Sequence, residues 1–278
     1  MSGTYVNYDD IAPTYNQRYE VNALPGVAAA LLFLVQDCNA KQILEVGCGT
    51  GYWLTVLQSV TPRIYGLDLS LGMLQQVCQR ERQFHLTCSD ASRLPFSASS
   101  FDLVFCVNAL HHFTHPSLFI SEARRVLRPG GVLAIIGMDP HSNRDRWYLY
   151  DYFEGTHATD LARFPSGGTI LDWMIASGFD RVEWRVAERI VHPLFGQEVL
   201  HDPFLQKHGT SQLALLTDEA YAAGLSRIKS VLVWAEKAGE IPAFPVDISL
   251  NMLVGRVYKT NHLCNGHRQI SNRRNQGE

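Results

Sequence analysis

Short apolar runs closed by an acid, a glycine or an asparagine recur through the first half of the chain. They are Ile43-Leu44-Glu45-Val46 before Gly47, Arg63 to Asp68, Phe84 to Cys88, Phe101 to Asn108, and Val132 to Ile136. A strand buried on both faces reads as a continuous apolar run rather than as strict alternation. Between these runs the spacing becomes helical, as in Tyr52 to Leu57 and in Ser70 to Arg82, where Met73, Leu74 and Val77 share one side. Alternating strands and helices predict an α/β domain built on a parallel sheet.

Beyond the fifth run the pattern is less regular. Asp139 to Gly168 form an aromatic-rich insertion with Trp147, Tyr148, Tyr150, Tyr152, Phe153 and Phe164. Thr169 to Ala176 read as a helix, Asp180 to Arg189 as a sixth strand, and Asp247 to Tyr258 as a last strand. A second insertion runs from Val191 to Phe244. Within it, Tyr221, Leu225, Ile228, Leu232 and Ala235 predict a helix over Asp218 to Ala238, with Thr217 as its cap and Gly239 as its stop. The N-terminal stretch to Asp37 carries Tyr5, Tyr8, Tyr15 and Tyr19 and turns into a helix near Asp10 to Asn16. The expected organisation is one domain over residues 1–260, with a helical arm at 1–37 and insertions at 139–168 and 191–244. A polar tail at 261–278, rich in Asn, Arg and Gln, is expected to be disordered.

Composition narrows the classes. A chain of 278 residues can bury a large core, and its formal net charge of −3 offers no broad basic face for nucleic acid. Cys38, Cys48, Cys78, Cys88, Cys106 and Cys264 contain no C-x-x-C pair, which suits reduced thiols in the cytoplasm. The apolar stretch Ala28 to Val35 is far short of the roughly 20 residues that span a bilayer, so no membrane insertion is expected.

The chemistry concentrates after the first strand, in Gly47-Cys48-Gly49-Thr50-Gly51. Glycines there let a ligand approach the backbone closely, and helix-start N–H groups would point at it. In the dinucleotide pattern G-x-G-x-x-G the third glycine would fall on Tyr52, and Glu45 would repel a pyrophosphate. An acid at that place could instead receive an ammonium group. Asp68 closes the second strand seventeen residues after Gly51, where such folds place a carboxylate on ribose hydroxyls. Alone, Asp68 reads as a solvated strand end and Asp90 as a turn former or cap. Together with the glycine turn they mark three successive strand ends, where open α/β sheets bind ligands.

Glu45-Val46-Gly47-Cys48-Gly49-Thr50-Gly51 resembles the first motif of the class I S-adenosylmethionine (SAM) dependent methyltransferases. Leu94-Pro95-Phe96, Phe101-Asp102 and Leu127-Arg128-Pro129-Gly130-Gly131 look like the ubiquinone-biosynthesis-type branch of that family. The resemblance extends from about Ile43 to Asp139. It implies a Rossmann-like sheet of seven strands in the order 3-2-1-4-5-7-6, the last antiparallel, with helices on both faces. It further implies SAM held by Glu45, Gly47, Cys48, Gly49, Gly51, Asp68, Leu69, Met73, Asp90, Ala91 and Asn108. Asp90 would accept from the adenine amino group, and Ala91 would pack by the ring. An aromatic N-terminal arm also resembles the lid of small-molecule methyltransferases, although a helix packed on the sheet edge is an equal reading.

A methyl donor of this kind carries the difficult chemistry itself, leaving the protein to align an acceptor and, where needed, remove a proton. His112, His111 and His141 follow the fourth and fifth strands and are the candidate bases. Tyr15, Tyr19, Tyr152 and His157 are the candidate acceptor contacts. A small-molecule acceptor is favoured, with O or N methylation ahead of C, and the chain acting as monomer or homodimer. Val107-Asn108-Ala109-Leu110 stands where nucleic-acid and glutamine N-methylating enzymes carry N-P-P-Y. Three alternatives are weaker. A metal site at His111, His112, His115 and His141 lacks helical spacing. Tyr52 and Glu45 disfavour a nicotinamide oxidoreductase, and intact Glu45, Asp68 and Asp90 disfavour a non-catalytic SAM-binding subunit.

Overall fold

The computed structural model describes residues 6–258 apart from 14, 17, 18, 21, 62 and 81–83. Tyr5, Cys264 and the tail expected at 261–278 lie outside them. The apolar runs form β1 (Gln42–Val46), β2 (Arg63–Asp68), β3 (His85–Cys88), β4 (Phe101–Val107) and β5 (Leu127–Gly137). Later come β6 (Asp180–Val191) and β7 (Val246–Arg256). Their order is β3-β2-β1-β4-β5-β7-β6, and the two-residue strand Arg146–Trp147 on the start of β7 completes an eight-stranded sheet. The first five strands pair in parallel, and β7 runs antiparallel to both neighbours. Two starts differ from the sequence reading. Arg128-Pro129-Gly130-Gly131 falls inside β5, where the register against β4 shifts between Phe101 and Leu103. The helix expected from Thr169 begins at Gly167, because the Ser166 hydroxyl caps it by accepting from the Thr169 N–H at 3.1 Å.

Both faces of the sheet are covered. Ile43, Ile64, Leu103, Phe105 and Ala134 pack under α2 (Pro25–Asp37) and α3 (Tyr52–Leu57) through Leu31, Trp53 and Leu54. Leu44, Val104, Cys106 and Leu133 point the other way, onto Phe119 and Ile120 of α5 (Pro116–Val126) and Met174 of α8 (Gly167–Ala176). Successive strand residues thus enter different cores, which is why the runs lack alternation. The two insertions share a third core. Tyr148 of α6 (Tyr148–Tyr152) and Phe153 meet Leu205, Leu213, Phe244 and Ile228 of α10 (Asp218–Ala238). Thr217 and Gly239 cap α10 at its expected ends.

Helix α2 begins without a cap of its own, since Leu24 precedes it at φ 50°. Glu188 of β6 serves instead, accepting from the N–H groups of Gly26 at 2.5 Å and Val27 at 3.3 Å. These are orphan donors of a helix start, where a carboxylate also meets the positive end of the helix dipole. Glu188→Ala is expected to lower stability by about 1–2 kcal/mol, the range of a lost N-cap. A urea melt measures this, and an unchanged midpoint would mean that water replaces the carboxylate at no cost.

Candidate active site

The glycine turn after β1 folds back on the end of β2. Gly47 and Cys48 donate their N–H groups to the Leu67 carbonyl at 2.7 and 3.0 Å, and Gly49 donates to Asp68 Oδ2 at 2.7 Å. Gly47 and Gly51 sit at φ +74° and +77°, where a Cβ would lie 2.5 Å from Ala109 Cβ and 2.9 Å from Val77 Cγ1. Only glycine fits such positions without strain. The N–H groups of Gly47, Cys48, Gly49 and Gly51 are already spent within the protein, the last on the Cys48 carbonyl.

A cavity of about 270 Å³ opens at the C-terminal ends of the parallel strands. Gly47, Gly49, Asp68, Leu69, Met73, Asp90, Ala91 and Asn108 line it, as expected of a cofactor site. Glu45, Cys48 and Gly51 do not reach its wall. Glu45 is buried behind it with Oε2 lacking a hydrogen bond, and Cys48 is buried as well. A Cβ on Gly49 would enter the gap between the turn and Tyr15 Cε1, 3.8 Å away.

Charge differs among the three acids. Burial, and then the nearby Asp68, push Glu45 well above the ordinary carboxylate range. Asp68 is also raised by burial, against hydrogen bonds from the Ser70, Gly49 and Leu69 backbone. Asp90 is held low, first by the Ser92 hydroxyl and then by the Ser92 N–H. The site thus offers an ionised Asp90 and a partly desolvated Asp68 that keeps lone pairs toward the cavity. The residues fit a nucleoside with ribose hydroxyls at Asp68 and an amino group at Asp90.

The N-terminal arm covers this cavity. In α1 (Tyr8–Ile11), Asp9 Oδ1 accepts from Ser70 Oγ at 2.5 Å and from the Gly72 N–H at 2.8 Å, at the head of α4 (Leu71–Arg80). Thr50 Oγ1 donates to Asn16 Oδ1. Tyr19 stacks on Tyr52 with centroids 3.7 Å apart, and Tyr52 Oη donates to the Ala23 carbonyl at 3.0 Å. Tyr52, which breaks the dinucleotide pattern, is thus a platform for the arm. Sequence reasoning missed Tyr8 and Asp9 because nothing local marks their partners.

A second cavity of about 840 Å³ adjoins the first, and Tyr8, Tyr15, Asn108 and His112 line both. Tyr19 and His111 also line the larger one, together with residues of the insertion 191–244. Tyr152, His157 and His141 do not. Tyr152 packs on Phe244, His157 on Tyr150, and His141 Nε2 bonds the Phe164 carbonyl at 2.8 Å. His111 stacks on Phe164 at 3.7 Å, and burial, followed by the neighbouring His112 and Arg163, holds its imidazole well below the usual range.

His112 meets Tyr8 Oη at 2.6 Å through Nε2 and Arg163 Nη2 at 3.2 Å through Nδ1. Arginine has only donors, so Nδ1 accepts and the neutral ring carries its proton on Nε2, facing Tyr8. Arg163, on α7 (Thr156–Arg163), had no sequence signal linking it to a histidine 51 residues away. Among the described residues no group of three or more His, Cys, Asp or Glu side chains is placed to hold a metal ion. Nor is any described helix long and apolar enough to cross a membrane.

Residues 44–135 match the family model described as a methyltransferase domain, the span that contains the glycine turn, Asp68 and Asp90. Over that span the chain resembles the class I SAM-dependent methyltransferases. SAM is the cofactor of that family. A phthiotriol/phenolphthiotriol dimycocerosates methyltransferase of Mycobacterium leprae is 38% identical over 116 residues, 40% of this chain and 43% of the relative. The malonyl-[acyl-carrier protein] O-methyltransferase of Dechloromonas aromatica is 29% identical over 191 residues, 67% of this chain and 69% of the relative. The chain thus spans less than half the length of the mycobacterial relatives it matches. The fold is shared with a protein assigned to an antibiotic biosynthesis pathway of Anabaena variabilis, at TM-score 0.65 and 23% identity over 82% of this chain and 96% of that one. It is shared also with a Haemonchus contortus phosphoethanolamine N-methyltransferase solved with SAM, at TM-score 0.55 and 17% identity over 90% and 57%.

Glu45 gives this fold a distinctive pH response. A carboxyl raised in the fold binds its proton more tightly folded than unfolded, so it lowers stability as pH climbs above the ordinary glutamate value of 4.5. Glu45→Gln keeps the shape and removes that ionisation. The variant's unfolding midpoint in urea is expected to exceed that of the parent at pH 8, with the gap closing toward pH 4.5. A gap that does not depend on pH would show that Glu45 does not titrate in this way.

Proposed function

We propose that the chain transfers a methyl group from SAM to a small-molecule acceptor held in the larger cavity, with oxygen or nitrogen receiving it. The observation that carries this reading is the shared wall of the two cavities at Tyr8, Tyr15, Asn108 and His112. Bound SAM supplies a sulfonium that activates its own methyl group. The chain's residues then have to bind, align and exclude water. Asp68 and Asp90 suit the two ends of the nucleoside, Gly49 leaves room for it, and the arm shields the junction. A relative named as an O-methyltransferase supports an oxygen acceptor. Five unpaired cysteines among the described residues suit a reducing compartment such as the cytoplasm.

Calorimetry tests cofactor binding. SAM and its demethylated product should bind with micromolar-range dissociation constants, and Asp68→Ala and Gly49→Val should abolish the heat. No binding by the unmutated protein sinks the reading.

His112 is better placed to hold Tyr8 than to take a proton, because Arg163 occupies its Nδ1 lone pair. His112→Ala is expected to lower kcat by no more than ~30-fold, short of the ~10²–10⁴ of a lost general base. The shape of the kcat–pH profile should survive. A larger loss, or disappearance of the acid limb, would make His112 the base.

A further inference from the structure

Three buried side chains in the wall of the larger cavity leave polar atoms without a hydrogen bond. Asp160 is 1% exposed, Gln212 4% and Thr210 7%, and all three line the cavity. Asp160 Oδ1, Thr210 Oγ1 and Gln212 Nε2 have no hydrogen-bond partner. Native interiors leave few such groups, so three in one wall need an explanation. Structural strain explains them poorly, because the surrounding polar atoms are well paired. Tyr150 Oη donates to Asp160 Oδ2 at 2.9 Å, and Arg163 Nη1 donates to Ser211 Oγ at 3.3 Å.

The three residues come from two segments that Arg163 joins. Asp160 and Arg163 lie on α7, while Thr210 and Gln212 flank the first residue of α9 (Ser211–Ala214). Arg163 Nη1 lies 3.7 Å from Asp160 Oδ1, and Nη2 reaches His112 Nδ1 at 3.2 Å. The cluster therefore adjoins His112, in the wall common to both cavities. Trp147, Phe164, Ile248 and Leu250 supply apolar wall, while Glu188, Arg189, Glu198 and Asp202 carry charged side chains elsewhere around the cavity.

We propose that Asp160, Thr210 and Gln212 form a recognition subsite for the acceptor, selecting an uncharged, largely apolar molecule that carries hydroxyl groups. The proposal rests on the methyl-transfer reading and adds the class of acceptor. A hydroxyl donates and accepts at once, so it can give its proton to Asp160 Oδ1 while receiving from Gln212 Nε2. Burial raises the Asp160 carboxyl to about 6, so at neutral pH it remains an acceptor. An ammonium group gains little there, since Arg163 already offsets the carboxylate. A carboxylate guest would bury a second negative charge beside the first. A guest with no polar group would leave all three atoms unpaired, the situation in which hydrogen-bonding sites discriminate most strongly.

Calorimetry at saturating S-adenosylhomocysteine tests this with four probes of one shape: 4-hexylcatechol, hexylbenzene, 4-hexylbenzoate and 4-hexylbenzylamine. The catechol should bind at least ~10-fold tighter than each of the others. In the Thr210→Val, Gln212→Leu double variant its advantage over hexylbenzene should fall to ~2-fold or less. S-adenosylhomocysteine affinity should stay unchanged in that variant, reporting an intact fold and cofactor site. Should the unmutated protein fail to bind S-adenosylhomocysteine, the methyl-transfer reading falls and the subsite with it. If the nucleoside binds but the catechol does not bind or shows no preference, the subsite assignment alone is overturned. It is equally overturned if the preference survives in the double variant, or if the benzoate or benzylamine binds best.

Discussion

The hydrogen bond from the Gly49 N–H to Asp68 holds the functional half of the molecule in register. It ties the turn after β1 to the end of β2, so the glycine wall and the cavity-lining carboxylate are placed by one contact. The other oxygen, Oδ1, accepts from the Ser70 N–H at 2.9 Å and sets where α4 begins. Ser70 and Gly72 in turn receive Asp9 of the arm. From one carboxylate the chain of contacts runs to the turn, the helix and the cover. The cost is a crowd of acids: Glu45 is buried beside Asp68 and is tolerated in that setting chiefly in its protonated form.

Much of the fold was legible because it depends on local pattern. Parallel strands buried on both faces leave continuous apolar runs, and their C-terminal ends carry the chemistry. That made the glycine turn, Asp68 and Asp90 readable together. Thr217 and Gly239 delimit α10 because caps act within a single turn of helix. Contacts between distant segments were not legible. Glu188 caps a helix 162 residues away, and Arg163 reaches His112 across 51. Tyr152 and His157 look like acceptor contacts by composition, yet the shared core of the insertions turns them toward Phe244 and Tyr150. Aromatic content predicts burial but does not say in which core.

The division of labour follows from how the cores are arranged. The two sheet faces carry the strand ends that line the smaller cavity, whereas the insertions pack mainly on each other. Residues of the third core that face the larger cavity can change without disturbing Asp68 or the glycine turn. Under the proposed function, such separation would let one cofactor platform serve different acceptors.

The arm adds a constraint on timing. Tyr8 and Tyr15 line both cavities and belong to the segment latched at Ser70 and Thr50. A single cover over two chambers makes traffic into one depend on the state of the other. Under the proposed methyl transfer, spent nucleoside and methylated product would leave through the same opening event, and the turnover clock would be set by how often that cover lifts.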